Sequence, residues 1–133
     1  MATSKTGAEK TRWDLRFLYS GIDDPQIDTD VKKFTEMAKS FHAKYNGKLS
    51  TTLGKAISDY SEIVMLSNKI ELYLYCSWTV DIANSVIKAK KADIERVFAK
   101  TSGDFLEFFK LQIIKLSDVE LENFYRSHAV ILK

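Results

Sequence analysis

The sequence predicts an all-α domain: an antiparallel array of three long helices with an N-terminal arm across it and a short C-terminal helix. Three observations carry that expectation. Apolar residues recur at steps of three and four along most of the 133 residues, the spacing that lines one face of a helix. A single proline, in a chain whose residues are 45% hydrophobic, suits an ordered helical domain. Capping residues stand where the stripes begin, at Asp24 followed by Pro25 and at Ser117 followed by Glu120.

The arm comes first. Residues 1–10, MATSKTGAEK, lack the apolar core of a signal peptide and read as a flexible arm, so the helical domain is expected over 11–133. Trp13, Leu15, Leu18 and Tyr19 then put apolar mass beside Asp14 and Arg16, too irregularly spaced for a core helix but able to pin an arm onto a helical body. Trp13, Leu15 and Leu18 are expected to be buried there. Ser20 and Gly21 mark a turn, and Asp24 accepts from first-turn N–H groups while Pro25 loses nothing at the first helical position.

Over 25–46, Ile27, Val31, Phe34, Ala38, Phe41 and Tyr45 form the first stripe, which Gly47 ends as a left-handed cap. A second helix begins after 50–52 and uses Leu53, Ile57, Tyr60, Val64, Ile70 and Leu74, with Ser67 the weak position. Residues 70–80 also alternate, which would permit a strand; nothing between Leu53 and Tyr75 breaks the helical pattern, so helix is expected. The chain turns near 79–84, where Asp81 or Asn84 caps a third helix through Val86, Ile94, Val97, Phe105, Phe108 and Ile113 to about Lys115. Such a helix is on the order of 50 Å long, with Gly103 a place to kink or split it within 101–104. The capping box at Ser117 and Glu120 opens the last helix, with Leu121, Phe124 and Tyr125 inward. The final AVILK stops inside an apolar pattern and suggests a truncated boundary.

At this length the chain is one domain that needs neither metal nor disulfide for its core. Twenty Lys and Arg against 18 Asp and Glu leave a net charge of +2, a balanced mixture that implies no nucleic acid. No apolar run reaches membrane-spanning length. Cys76, the only cysteine, excludes an internal disulfide, suits a reducing compartment, and among Tyr73, Leu74, Tyr75 and Trp78 reads as a buried inert thiol.

No constellation for chemistry stands out. His42 and His128, the only histidines, lack the helical four-residue spacing of a metal pair. His42 reads instead as a surface residue near a helix C-terminus, where its positive form is favoured. Asp23 and Asp24 are explained by capping, and Lys88, Lys90, Lys91 and Arg96, interleaved with Asp93 and Glu95, by a solvated face. Tyr73, Tyr75, Trp78, Phe105, Phe108 and Phe109 could line a pocket but are spaced as core. The stretches 72–78 and 105–116 are apolar nearly all round, more than one helical stripe needs, which points to a docking surface.

Four segments together carry a resemblance: WDLRFLYSGIDDPQI (13–27), KYNGKL (44–49), YLYCSWTVDIANS (73–85) and FLEFFKLQI (105–113). From Arg12 to the end the chain resembles the N-terminal region of the oligoendopeptidase F family of zinc peptidases. The resemblance implies helix rather than strand at the end of the second helix, and a parent that hydrolyses short peptides by a zinc-activated water, with an HExxH helix and a later glutamate as zinc ligands. This chain contains no HExxH, so the resemblance assigns no catalytic, cofactor-binding or metal residue to it. The expected role is that of a non-catalytic helical wall of the substrate cleft in a cytoplasmic enzyme, with the catalytic domain as its partner, oligopeptides as the parent's substrates and zinc as the parent's cofactor. The alternative is a stand-alone or truncated helical module that self-associates, for which a homodimer is expected.

Overall fold

The computed structural model describes residues 13–128, so the 1–10 arm and the AVILK end lie outside the described residues. Five helices follow in order: α1 (Pro25–Tyr45), α2 (Leu49–Val80), α3 (Ser85–Phe105), α4 (Glu107–Ile114) and α5 (Asp118–Ser127), with no strand among the described residues. With α3 and α4 taken together these are three long helices and a shorter last one, as the sequence predicts. α1 packs against α2 and α3, α2 packs against α3, and α5 lies on α2.

The caps explain where the helices start. Asp24 accepts from the Gln26 N–H at 2.9 Å with Pro25 in the first helical position, and Asn84 rather than Asp81 accepts from Val86 and Ile87. Ser117 and Glu120 complete the capping box at α5. Gly47 has the positive φ expected of it, 75°, but as part of a turn rather than a helical cap. Asn46 sits at φ −60°, ψ 119°, and Lys48 N–H donates to the Tyr45 carbonyl at 3.0 Å, which together make a type II turn. α2 therefore begins at Leu49, before the expected start, and runs unbroken through 70–80 to Val80.

The first stripe is inward as predicted, with Val31 half-buried and the rest buried. Three other expectations shift. On α2 the core position is Ile63, and Val64 is half-buried beside it. On α3, Val86 and Val97 are exposed, while Ile87, Ile94, Phe98 and Thr101 face the core. On α5, Tyr125 is exposed, and Leu121 and Phe124 are only half-buried, on a helix whose main contact is with α2.

The third long helix breaks at Leu106 and not at Gly103. Leu106 is buried, at φ −114°, ψ −24°, and the bend places Phe108 and Phe109 at 5.6 and 5.2 Å from the Phe41 ring. The bend is held from outside the helix: Gln112 accepts from Gly47 N–H at 2.9 Å and donates to Asn46 Oδ1 at 2.6 Å, tying α4 to the α1–α2 turn. Gly103 itself lies inside α3, exposed, with open space where a Cβ would stand. Gly103→Ala should therefore raise stability by about 0.5–1 kcal/mol, read as a higher urea midpoint at unchanged slope. A lower midpoint would show that the bend depends on that glycine.

Candidate functional site

The arm is pinned by Leu15, Leu18 and Tyr19, as expected, but not by Trp13. Leu18 and Tyr19 N–H groups both donate to the Leu15 carbonyl, forming a tight turn that directs Leu15, Leu18 and Tyr19 toward the helices. Leu15 and Leu18 are half-buried and Tyr19 is buried, but Trp13 is 77% exposed and Phe17 is 78% exposed. The expectation of a buried Trp13 is thus corrected: the turn that buries its neighbours, braced by the Asp14–Arg16 ion pair at 2.8 Å, leaves its ring outside. Hydrogen bonds from Arg16 hold the Asp14 carboxyl down to about 2.

Beneath the arm lies a polar hub that was not evident in the sequence. Asp30 is 5% exposed and its Oδ2 accepts from the Tyr19 hydroxyl at 2.6 Å and from Lys69 Nζ at 2.9 Å. Its Oδ1 accepts from Gln26 Nε2 at 2.7 Å. Lys69 also sits 4.4 Å from the Tyr19 ring centroid, and Tyr19 meets Tyr73 edge-on at 5.1 Å. Burial raises Asp30, but the three donors outweigh it and hold the carboxyl below the ordinary range. Burial and the bond to Asp30 push the Tyr19 hydroxyl up. No buried side-chain polar atom of this hub lacks a hydrogen-bond partner, which suits an anchor of the arm rather than a reacting group.

The histidines stay apart. His42 is half-buried, edge-on to Phe108 at 5.0 Å and to Phe105 at 6.0 Å, where a surface position was expected. His128 stacks on Phe124 at 4.6 Å and fits against Gly54, where a Cβ would come within 2.4 Å of Nε2; that close approach requires the glycine. Among the described residues no set of His, Cys, Asp and Glu is placed to hold a metal ion. Lys88 and Arg96 are exposed as a solvated face requires, whereas Lys90 and Lys91 are half-buried and paired with Asp28 and Glu95, and Asp23 stands exposed next to the capping Asp24. Cys76 is half-buried rather than buried.

The proposed pocket aromatics do not converge. Tyr73 and Phe109 are buried, Trp78, Phe105 and Phe108 are half-buried, and Tyr75 is exposed on the far side of α2. A groove of about 460 Å³ runs between the first turns of α2 and α5 and is lined by Leu49, Leu53, Leu116, Phe124, Glu120 and His128 among others. Ser127 Oγ lies 2.8 Å from His128 Nδ1 along it, but the same hydroxyl also lies 2.9 Å from the Asn123 carbonyl as a helix-end hydroxyl does, and among the described residues no carboxylate is bonded to the imidazole to orient it as a base.

Exposed apolar surface is the feature that remains. Besides Trp13 and Phe17 it includes Leu111 and Ile114 on α4, with Ile114 79% exposed, Met65, Leu72 and Tyr75 on the outer face of α2, and Val80 and Ile82 where α2 ends. The outer face of α1 carries charge instead, at Lys32, Lys33, Glu36 and Lys39, and that of α3 mixes Lys88, Asp93, Arg96 and Lys100 with the exposed Val86 and Val97. The excess apolarity read over 72–78 and 105–116 is therefore real in the fold, although Phe109 is core. Among the described residues no helix is long and apolar enough to cross a membrane. The chain matches no protein-family model, no curated protein and no solved structure in comparisons with each.

Proposed function

We propose that this chain is the N-terminal helical domain of an oligoendopeptidase F-like zinc metallopeptidase, a non-catalytic wall of a cleft that admits short peptides, located in the cytoplasm. The observation that most directly supports this reading is the pair of rings at Trp13 and Phe17. They stand in solvent on an arm anchored by its other side chains through Tyr19 and the Asp30 hub, so the arm is ordered while two large apolar groups lack a partner. They also lie within the segment 13–27 that opens the resemblance. In this reading the partner of those rings, and of Leu111 and Ile114, is the catalytic domain. The described residues offer no donor set that fits the zinc of the parent, so the contribution of this chain is steric: it limits what can reach the cleft.

Three measurements test it. The purified chain should contain no stoichiometric zinc by elemental analysis and should leave a quenched fluorescent oligopeptide intact, and the coding sequence beyond Lys133 should continue to an HExxH segment. One tightly held zinc per chain, chelator-sensitive cleavage, or a native stop codon after Lys133 would each overturn the assignment.

A further inference from the structure

The outer face of α2 has a spacing of its own. Met65, Asn68, Leu72, Tyr75 and Thr79 fall at alternating steps of three and four, all exposed, and Ser58 and Ser61 continue the same alternation toward the N-terminus. That is the period of a coiled-coil seam, carried over about 32 Å of helix without one charge. It begins just past 49–55, the stretch of α2 that borders the groove beside α5.

We infer that this seam binds a second copy of the chain through an antiparallel α2–α2′ contact. The residues themselves select the occupant and its direction. One half of the seam is small, at Ser58 and Ser61, and the other is large, at Leu72 and Tyr75. Antiparallel pairing puts Leu72 opposite Ser61 and Tyr75 opposite Ser58 in both halves, so bulky side chains meet small ones. Parallel pairing would crowd tyrosine on tyrosine and leave serine facing serine across a gap.

The flank adds no cross-chain ion pair, because Lys69, on the same side of α2 as Glu62, is already held by Asp30 at 2.9 Å within its own chain. Two of the hydroxyls are already satisfied by their own helix, Ser61 Oγ donating to the Ile57 carbonyl at 2.8 Å and Thr79 Oγ1 to the Cys76 carbonyl at 2.9 Å. Leaving water therefore costs them little. Asn68 lies near the two-fold axis of this register, opposite Met65 of the second copy.

The inference is independent of the peptidase reading, which rests on the arm and α4. Sedimentation velocity of the 133-residue chain should show a dimer, and Leu72→Glu should raise its dissociation constant at least about 100-fold, since the lost contact occurs twice. Lys32→Glu, on the charged face of α1, should leave the dimer unchanged. A dimer that tolerates Leu72→Glu, or a wild-type chain that stays monomeric at all concentrations, overturns the proposal. Direction is read by cross-linking in a Cys76→Ser background. Chains with Ser58→Cys mixed with chains with Tyr75→Cys should form a mixed disulfide, while Ser58→Cys alone should not cross-link. Self-cross-linking of Ser58→Cys would overturn the antiparallel register, and the absence of the mixed disulfide would overturn the contact.

Discussion

Replacing Phe41 by alanine should lower the stability of the domain by about 3–5 kcal/mol, a large share of the roughly 5–15 kcal/mol of a small domain. Phe41 is 3% exposed and its ring lies 5.0 Å from Tyr45, 5.7 Å from Tyr60, 5.6 Å from Phe108 and 5.2 Å from Phe109. It is where α1, α2 and α4 meet. Truncation leaves a cavity that four rings on three helices would have to move together to fill, so little relaxation is available. Urea unfolding should show a sharply lower midpoint, and near-UV dichroism should weaken as the rings lose their fixed packing. A loss below about 1 kcal/mol would show that α4 closes over the gap, and that the Gln112 clamp on the α1–α2 turn positions α4 more strongly than the aromatic cluster does.

The helices were legible because each depends on local information. Asp24, Asn84 and Ser117 start their helices by bonds to N–H groups two or three residues on, and the three- and four-residue steps of α1 name its buried face without knowledge of any partner. Where the sequence reading missed, the deciding contact was distant. The break of the third helix falls at Leu106 because Phe108 and Phe109 close on Phe41, and Gln112 reaches across to Asn46 and Gly47, which no local rule at Gly103 could reveal. Val64 and Ile63 are neighbours with equal claims on the stripe, and the position of α1 chooses between them. Trp13 was misjudged because apolar character says that a ring wants cover and leaves open which surface covers it. The surplus of apolar residues over 72–78 was visible as composition. Its organisation as an uncharged seam was also present in the three- and four-residue steps from Ser58 to Thr79, hidden because Ser, Asn and Thr do not register as apolar. Asp30 gave no signal, since a carboxylate beside a stripe reads as solvated unless its donors, one of them 39 residues away, are known.

Asp30→Ala should be nearly as costly, about 2–4 kcal/mol, and its effect should depend on pH. The substitution leaves the Tyr19 hydroxyl without its acceptor at a buried site and removes the counterion of Lys69. Breaking a buried pair costs about 3–5 kcal/mol, but Lys69 is 37% exposed and can turn its ammonium to water, which reduces the figure. Tyr19→Phe, which deletes one donor and leaves Lys69 and Gln26 on the carboxylate, should cost only about 1–2 kcal/mol. In the wild type, Asp24, Asp30, Asp59 and Glu120 are all held below their ordinary range. Their contribution is therefore complete above about pH 4–5 and is lost as pH falls through the lower folded values. Tyr19 and Tyr45 run the other way: burial first, and then hydrogen bonding to Asp30 and Asp59, raise both, so what they contribute is complete below about pH 10 and is lost as pH rises beyond it. Stability measured against pH should thus be level between those limits and fall on both sides. In Asp30→Ala both limbs should be shallower, because the acid limb loses one depressed carboxylate and the alkaline limb loses the acceptor that helps to hold the Tyr19 proton. Unchanged limbs with a uniformly lower plateau would mean that Asp30 acts through packing alone, and the arm would then be held by Leu15, Leu18 and the Tyr19 ring rather than by the buried charge.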